Sequence, residues 1–579
     1  MYRTKTIFLI TAILSICTIS AFSADRQIDI EGKYLNFPVS EKADKCLISF
    51  KVEGEKVREF VIKLAPGKPD YWVYLEVQDF VGKRGEVVAW EISEKQMKGF
   101  EAVYSDNTFP GEKNLYKEKL RPQFHFSSKR GWNNDSNGMM YYDGEYHMFY
   151  QHNPFGWNWG NMTWGHAIST DMVHWVEQGD KLHADEFGTM FSGSGVVDWN
   201  NTTGFQTGDE PPLILIYTNA GNNSRWSEGK PFTQGIAYSN DRGRTWTKYR
   251  GNPVQARVRM ANRDPKVMWY EETEEWVIVM FLREGRVAFF TSPNLKRWEL
   301  HSIMKTDRDE CPELLQLTVD GDKDNKKWVH YSAHGEYYIG DFDGREFTKE
   351  TEAMRYSYGN CFYASQAFND IPKDDGRVIQ IAWATVNLPD MPFNQMMTFP
   401  VSLTLRSTED GLRMFAYPVK EIENIHGKKH QWKHKDLKPG ENLLKNVKGN
   451  LFDINAVIAV GDAEEVGFEI NGFPVSYNIK KKLLVGGEGK EGGHFSSGET
   501  KAELKPIDGK ISLRMLVDRP SVEIYANNGR IYMPMQAVRD LDNKSLKIYS
   551  KGGNAHIEEL TVYEIKSIWP EVIPGKSIK

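Results

Sequence analysis

Three short stretches place acidic residues where they could do chemistry: Trp132-Asn-Asn-Asp135-Ser-Asn-Gly138, Asn262-Arg263-Asp264-Pro265 and Asp309-Glu310-Cys311-Pro312. Carboxylates without metal-ligand spacing suit acid/base and nucleophilic work. One carboxylate attacks or stabilises positive charge, and one carboxylic acid protonates a leaving oxygen. Taken singly, each stretch also has an ordinary reading. Asp135 lies in an Asn/Ser/Gly run that favours turns. Arg263-Asp264 is a ready ion pair, and Glu310 before Cys-Pro fits a solvated strand end. Their position in a repeat sets them apart.

The repeat has two marks. Three segments end a strand with the same polar turn and a Trp: Ser169–Trp175, Ser239–Trp246 and Thr291–Trp298. Each unit also opens with a polar residue just before an apolar strand. These residues are Asp135, Ser192, Asp264, Glu310 and Asn360, spaced 57, 72, 46 and 50 residues apart. That is one propeller blade plus loops, so five openings imply five blades. Residues at one blade phase converge on the central axis, which brings Asp135, Asp264 and Glu310 into one funnel. The expected class is all-β: a five-bladed β-propeller over 116–428, a β-sandwich over 429–579 and an extra β-sandwich-like domain over 24–115. Alternating strands such as Cys46–Val52 and Ile511–Val517 support the two flanking domains.

Together the acidic stretches resemble glycoside hydrolase family 32, the β-fructofuranosidases (invertases, inulinases and levanases). The family's motifs run W-M-N-D-P-N-G, R-D-P and E-C-P. The second and third are intact here. The first has Asn133 and Ser136 in place of Met and Pro. Tyr146–Pro154, Trp159–Ala167 and Phe191–Gly195 also resemble the family's sugar-pocket segments, and Leu516–Glu523 its C-terminal sandwich. The resemblance implies that Asp135 is the nucleophile, Glu310 the acid/base and Asp264 a transition-state stabiliser, with configuration retained. Asn134 and Arg263 are expected to keep Asp135 charged, and the neighbouring carboxylates to keep Glu310 protonated. Gln151 and Ser192 are expected to bind hydroxyls. Trp132, Trp159, Phe191 and Trp383 are expected to line the pocket. Asn360 stands where the family carries Asp, so a pocket hydrogen bond is expected to change there. The implied substrate is levan or inulin, attacked from the chain end, and no cofactor is needed. Invertase or endo-acting members, a non-catalytic fructan-binding protein and an arabinan- or xylan-cleaving relative are the alternatives.

Composition bounds the rest. The chain has 579 residues and a formal net charge of −6, which gives no electrostatic case for nucleic acid or an anionic membrane. Met1–Ser23 has the layout of a cleaved signal peptide: Arg3 and Lys5, an apolar run from Ile7 to Ile16, then Ala21-Phe22-Ser23. This implies a secreted or periplasmic protein without membrane insertion. Ile16 before Cys17 disfavours lipidation. Cys46, Cys311 and Cys361 then remain; a Cys311–Cys361 bridge competes with free thiols. His147, His152, His166, His174 and His183 crowd one stretch without H-E-x-x-H spacing and read as packed or rim residues. Asp320–Asp324 lacks the Gly and Glu of a calcium loop.

Overall fold

The computed structural model describes residues 22–259, 261–306, 310–489 and 498–569. The expected leader Met1–Ser23 lies, except for its last two residues, outside the described residues, as do Cys17 and Asp309. The chain divides into two compact units: Met1–Trp72 with Val77–Asn107, and Val73–Glu76 with Thr108–Lys579. The smaller unit holds a four-stranded antiparallel sheet ordered Phe22–Asp29, Arg84–Ile92, Cys46–Val52, Glu55–Ile62. Tyr34–Val39 pairs separately with Tyr104–Asp106. Strict alternation puts Ile48 and Phe50 of the central strand into the core, with Phe37 edge-on to Phe60.

The larger unit begins with a propeller. Each blade runs outward from an innermost strand: Gly131–Tyr142, Thr189–Val197, Arg263–Tyr270, Glu313–Val319 and Tyr363–Ala367. The first four blades are antiparallel, and the fifth joins the fourth through a single parallel bridge, Val319 to Leu405. The chain closes the ring at the first blade, where Phe393–Asn394 pairs in parallel with Gly131 and Trp132.

The repeated Trp turn is one structure used three times. In the first blade Asp171 accepts the backbone N–H groups of Val173 and His174 at 3.0 and 2.8 Å, and the Trp175 indole donates to Met172 O. Asp241 with Trp246, and Asn294 with Trp298, repeat the pattern in the next two blades. Met172, Arg242 and Leu295 occupy the same left-handed position, φ 60°, 59° and 61°. A short side-chain acceptor satisfies the tight turn, and the Trp caps the blade edge.

The second sandwich packs a six-stranded sheet, including Phe452–Ala459 and Lys510–Val517, on a five-stranded one that includes Glu465–Ile470. Ile454, Phe468 and Ile524 fill its core. Leu516, Tyr525 and Tyr532 of this sandwich share a second apolar cluster with Phe124, Tyr356 and Phe399 of the propeller. That shared core explains why the two form one unit. Cys46, Cys311 and Cys361 are free thiols, so the Cys311–Cys361 bridge does not form. No helix among the described residues is long and apolar enough to cross a membrane.

Candidate active site

The innermost strands are irregular where the acidic residues sit. Register shifts fall between Asn133 and Ser136, between Phe191 and Gly193, and between Arg263 and Lys266. They bracket Asp135, Ser192 and Asp264. A bulge of this kind breaks the alternation and re-aims one side chain, here toward the axis. Asp264 and Cys311 hold left-handed backbone, φ 59° and 51°, a conformation that surrounding structure must impose on non-glycine residues. The funnel is thus built by local departures from regular strand at one mouth of the ring.

The structure brings the three carboxylates together. The Cys311 thiol lies 3.6 Å from Asp135 Oδ2 and 3.7 Å from Asp264 Oδ2, and the Cys311 backbone N–H donates to Asp264 Oδ2 at 3.3 Å. Both oxygens of Asp135 are held. Ser192 Oγ donates to Oδ2 at 2.6 Å and Asn134 Nδ2 to Oδ1 at 2.9 Å. Behind them, the Trp132 indole donates to Asn134 Oδ1 at 2.9 Å and Gln151 Nε2 to Ser192 Oγ at 3.4 Å. Trp132 and Asn134 therefore fix one oxygen, and Gln151 and Ser192 the other. Trp159, half exposed, meets Phe191 edge-on at 5.9 Å, beside Ser192. Trp383 is buried behind Trp132, 5.7 Å away and edge-on, and donates to Gln395.

Arg263 sits differently from the expectation. It does not bond Asp135. Its Nε donates to Glu310 Oε2 at 3.0 Å, its Nη2 donates to the same oxygen, and Nε lies 3.4 Å from Asp264 Oδ2. The reason is placement: Arg263 and Asp264 start the third blade, next to Glu310 at the start of the fourth. Tyr363 OH donates to the other Glu310 oxygen at 2.8 Å.

Charge crowding marks the site. Burial pushes the Asp264 carboxyl up to about 7; Arg263 opposes this, and Glu310 and Asp135 reinforce it. Burial also raises Asp135, against the hydrogen bonds from Ser192 and Asn134 and with the help of Glu310. Asp264 and Asp135 are thus both pushed toward their protonated forms, with one guanidinium beside them. Perturbed carboxylates gathered in one funnel are the kind of site that hydrolytic chemistry uses.

Asn360 corrects another expectation. It is buried and faces the second sandwich, accepting from the Gln536 N–H at 2.8 Å and donating to Gly498 O at 3.1 Å. The fifth blade reaches the site with Tyr363, three residues later, and the phase of the repeat falls short of it. Asn360→Asp is expected to lose the bond to Gly498 and set a carboxylate against a carbonyl. The expected cost is about 1–3 kcal/mol of stability by thermal or urea denaturation, with KM unchanged. Tyr363 and Cys311 are the site residues that sequence reasoning did not single out. Of the histidines, His147, His152 and His166 are packed and His174 is exposed; His147 and His166 bond each other at 3.1 Å, and burial pushes His147 down to about 4.

Comparison with known proteins agrees with this architecture. Residues 125–418 match the glycosyl hydrolases family 32 N-terminal domain, and 421–564 the family 32 C-terminal domain. Residues 24–109 match a model described only as a domain of unknown function. A levanase of Bacillus subtilis is 39% identical over 496 residues, covering 79% of this chain and 72% of that protein. An extracellular exo-inulinase of Aspergillus awamori is 30% identical, covering 78% of this chain and 96% of its own. Its crystal structure superposes with a TM-score of 0.70 at 28% identity, over 78% of this chain and 100% of that one. A fructofuranosidase of Schwanniomyces occidentalis complexed with fructose gives 0.71 at 27% identity, over 78% and 99%. With both family domains matched in order across an all-β propeller and sandwich, the chain belongs to glycoside hydrolase family 32.

Proposed function

We propose that this glycosidase releases fructose from the ends of levan or inulin chains with retention of configuration. One observation carries the reading: three carboxylates meet at one propeller mouth, and one of them, Asp135, has both oxygens aimed by neutral donors. In the proposed cycle an Asp135 oxygen attacks the anomeric carbon. The glycosidic C–O bond breaks as Glu310 gives its proton to the leaving oxygen. Glu310 then takes a proton from water, which attacks the same carbon and releases Asp135. Asp264 accepts hydrogen bonds from ring hydroxyls that strengthen as positive charge develops on the ring. Trp132, Trp159 and Phe191 supply apolar surface for the sugar. The neutral substrate fits a chain whose net charge is only −6. A leader at Met1–Ser23 would export the enzyme to where such polymers occur. Residues 24–115, 116–428 and 429–579 would serve as accessory, catalytic and supporting domains.

Incubation with levan, inulin and sucrose, with products read by chromatography, tests the reading. Fructose is the expected first product from the polymers. Release of neither fructose nor fructo-oligosaccharide from any of the three would sink it.

A pH profile tests the charge arrangement. Asp264 must be ionised to accept from the ring hydroxyls and offset positive charge, so kcat/KM is expected to fall on the acid side with an inflection near 7, where Asp264 titrates. Arg263 opposes that upward shift. Arg263→Gln should therefore move this acid limb to higher pH while lowering the maximum roughly 10- to 100-fold. An acid limb that stays in place in Arg263→Gln would show that Arg263 does not set the proton affinity of Asp264.

A further inference from the structure

The inner strands run from the carboxylate mouth to a second opening at the far end of the ring. Asp264 lies at the start of Arg263–Tyr270, and Trp269 lies near its end. They are five positions apart along the strand, roughly 16 Å. At that far end is a cavity of about 520 Å³ whose walls include Trp199, Trp269, Trp276 and Asp370. Its size is that of a small-ligand site.

Three indoles stand around it, and each is held by its N–H. Trp199 Nε1 donates to Asp370 Oδ1 at 2.9 Å, Trp269 Nε1 to Glu271 Oε2 at 3.2 Å, and Trp276 Nε1 to Thr202 Oγ1 at 2.8 Å. Trp276 is buried and backs Trp269 edge-on at 5.1 Å. Trp199 is 59% exposed, the largest such value for a Trp among the described residues. Holding a large apolar face in water is unfavourable unless something covers it. Asp370 is no free charge. Its second oxygen accepts the Val197 N–H at 2.9 Å, so it acts as a clamp that sets the plane of Trp199. Burial pushes its carboxyl up to about 6. Glu271 and Lys373 offset each other at 3.7 Å, which leaves the rim polar and close to neutral.

Oriented aromatic faces with a neutral polar rim match a ligand with apolar C–H faces and hydroxyl edges. They do not match an anionic one. We propose that this cavity is a second carbohydrate-binding site, which holds a stretch of the neutral polysaccharide away from the cleavage site. The choice of fructan as the polymer rests on the proposed activity; the aromatic clamp does not.

Native gels containing levan or inulin test the site without turnover, and initial rates test its use. Trp199→Ala and Trp269→Ala touch none of the carboxylate machinery. Each is expected to reduce retardation in the gel three- to tenfold. KM on the polymer should rise by a similar factor, with kcat and KM on a fructan trisaccharide unchanged. Trp199→Phe, which keeps a flat face and loses only the clamp, should recover part of the binding. Unaltered retardation and polymer KM in both Ala variants, with unfolding temperatures within about a degree of the parent, would overturn the proposal. So would a change in sedimentation on Trp199→Ala with retardation intact, which would make the face a contact between copies of the chain. Retardation through Trp199 in a protein that hydrolyses no fructan would keep this site and sink the proposed activity alone.

Discussion

Asp135→Asn is expected to lower the rate of fructose release roughly ten-thousand-fold while leaving the fold and KM nearly unchanged. The geometry explains why the loss should be so selective. Asn keeps the shape of Asp, and its carbonyl still accepts from Asn134 Nδ2 in place of Asp135 Oδ1. Its amide would face Ser192 Oγ, and a hydroxyl can turn to accept what it formerly donated to. The hydrogen bonds survive and the charge does not. An amide oxygen is a poor nucleophile toward the anomeric carbon, so the covalent step is lost. Loss of an interaction used only in the transition state falls on kcat. Asp135→Gly gives the sharper reading, because it opens space for a small anion. Azide should restore turnover there and yield a glycosyl azide of inverted configuration. A rate above one tenth of the parent in Asp135→Asn, measured on levan with circular dichroism matched to the parent, would remove Asp135 from the nucleophile role.

Some of this site was legible because blade repetition places the same phase of each unit at the axis. Asp135, Asp264 and Glu310 stand at equivalent openings, and the Trp turns mark the opposite end of each unit. The same regularity misled at the fifth opening. Asn360 fits the spacing, but its side chain bonds the backbone of Gln536 and Gly498 in the sandwich, while Tyr363 at the strand start bonds Glu310. The sandwich, which the blade repeat does not encode, takes Asn360 and leaves Tyr363 in the funnel. Arg263 was placed near the right cluster and assigned to the wrong carboxylate, because adjacency between blades is a property of the closed ring and not of local sequence. Trp199 gave no signal, since a lone Trp near a turn is common and its exposure depends on how the ring folds around it.

The deepest long-range link involves residues that look ordinary in their own strands. His125 is fully buried between Asp518 and Glu523, with Nδ1 2.9 Å from Asp518 and Nε2 3.1 Å from Glu523. With a carboxylate at each nitrogen, the imidazole donates twice and is charged. Asp518 also accepts the backbone N–H groups of Gln123, Phe124 and His125, and Glu523 that of Phe399. The sandwich thereby holds the first and last segments of the propeller chain by charge-assisted bonds.

His125→Leu would leave both carboxylates buried without the cation and is expected to cost about 3–5 kcal/mol of stability. Burial alone would lower the His125 pKa, but the bonds to Asp518 and Glu523 outweigh it and hold it up to about 9, above the ordinary value of 6.5. A raised folded pKa stabilises most fully below the unfolded value, and the contribution is lost as pH rises through the folded one. The gap in unfolding free energy between parent and His125→Leu should therefore be widest near pH 6 and narrow steadily from about pH 7 to pH 10 in urea titrations. Asp518 has the opposite sign. Burial alone would raise its pKa, but the bonds from His125 hold it low, so its contribution persists at neutral pH and fails only in acid. A gap that stays constant from pH 6 to pH 10 would mean that His125 holds the two domains by packing alone. A gap that closes with His125 deprotonation would mean that the propeller and the sandwich are joined by a proton.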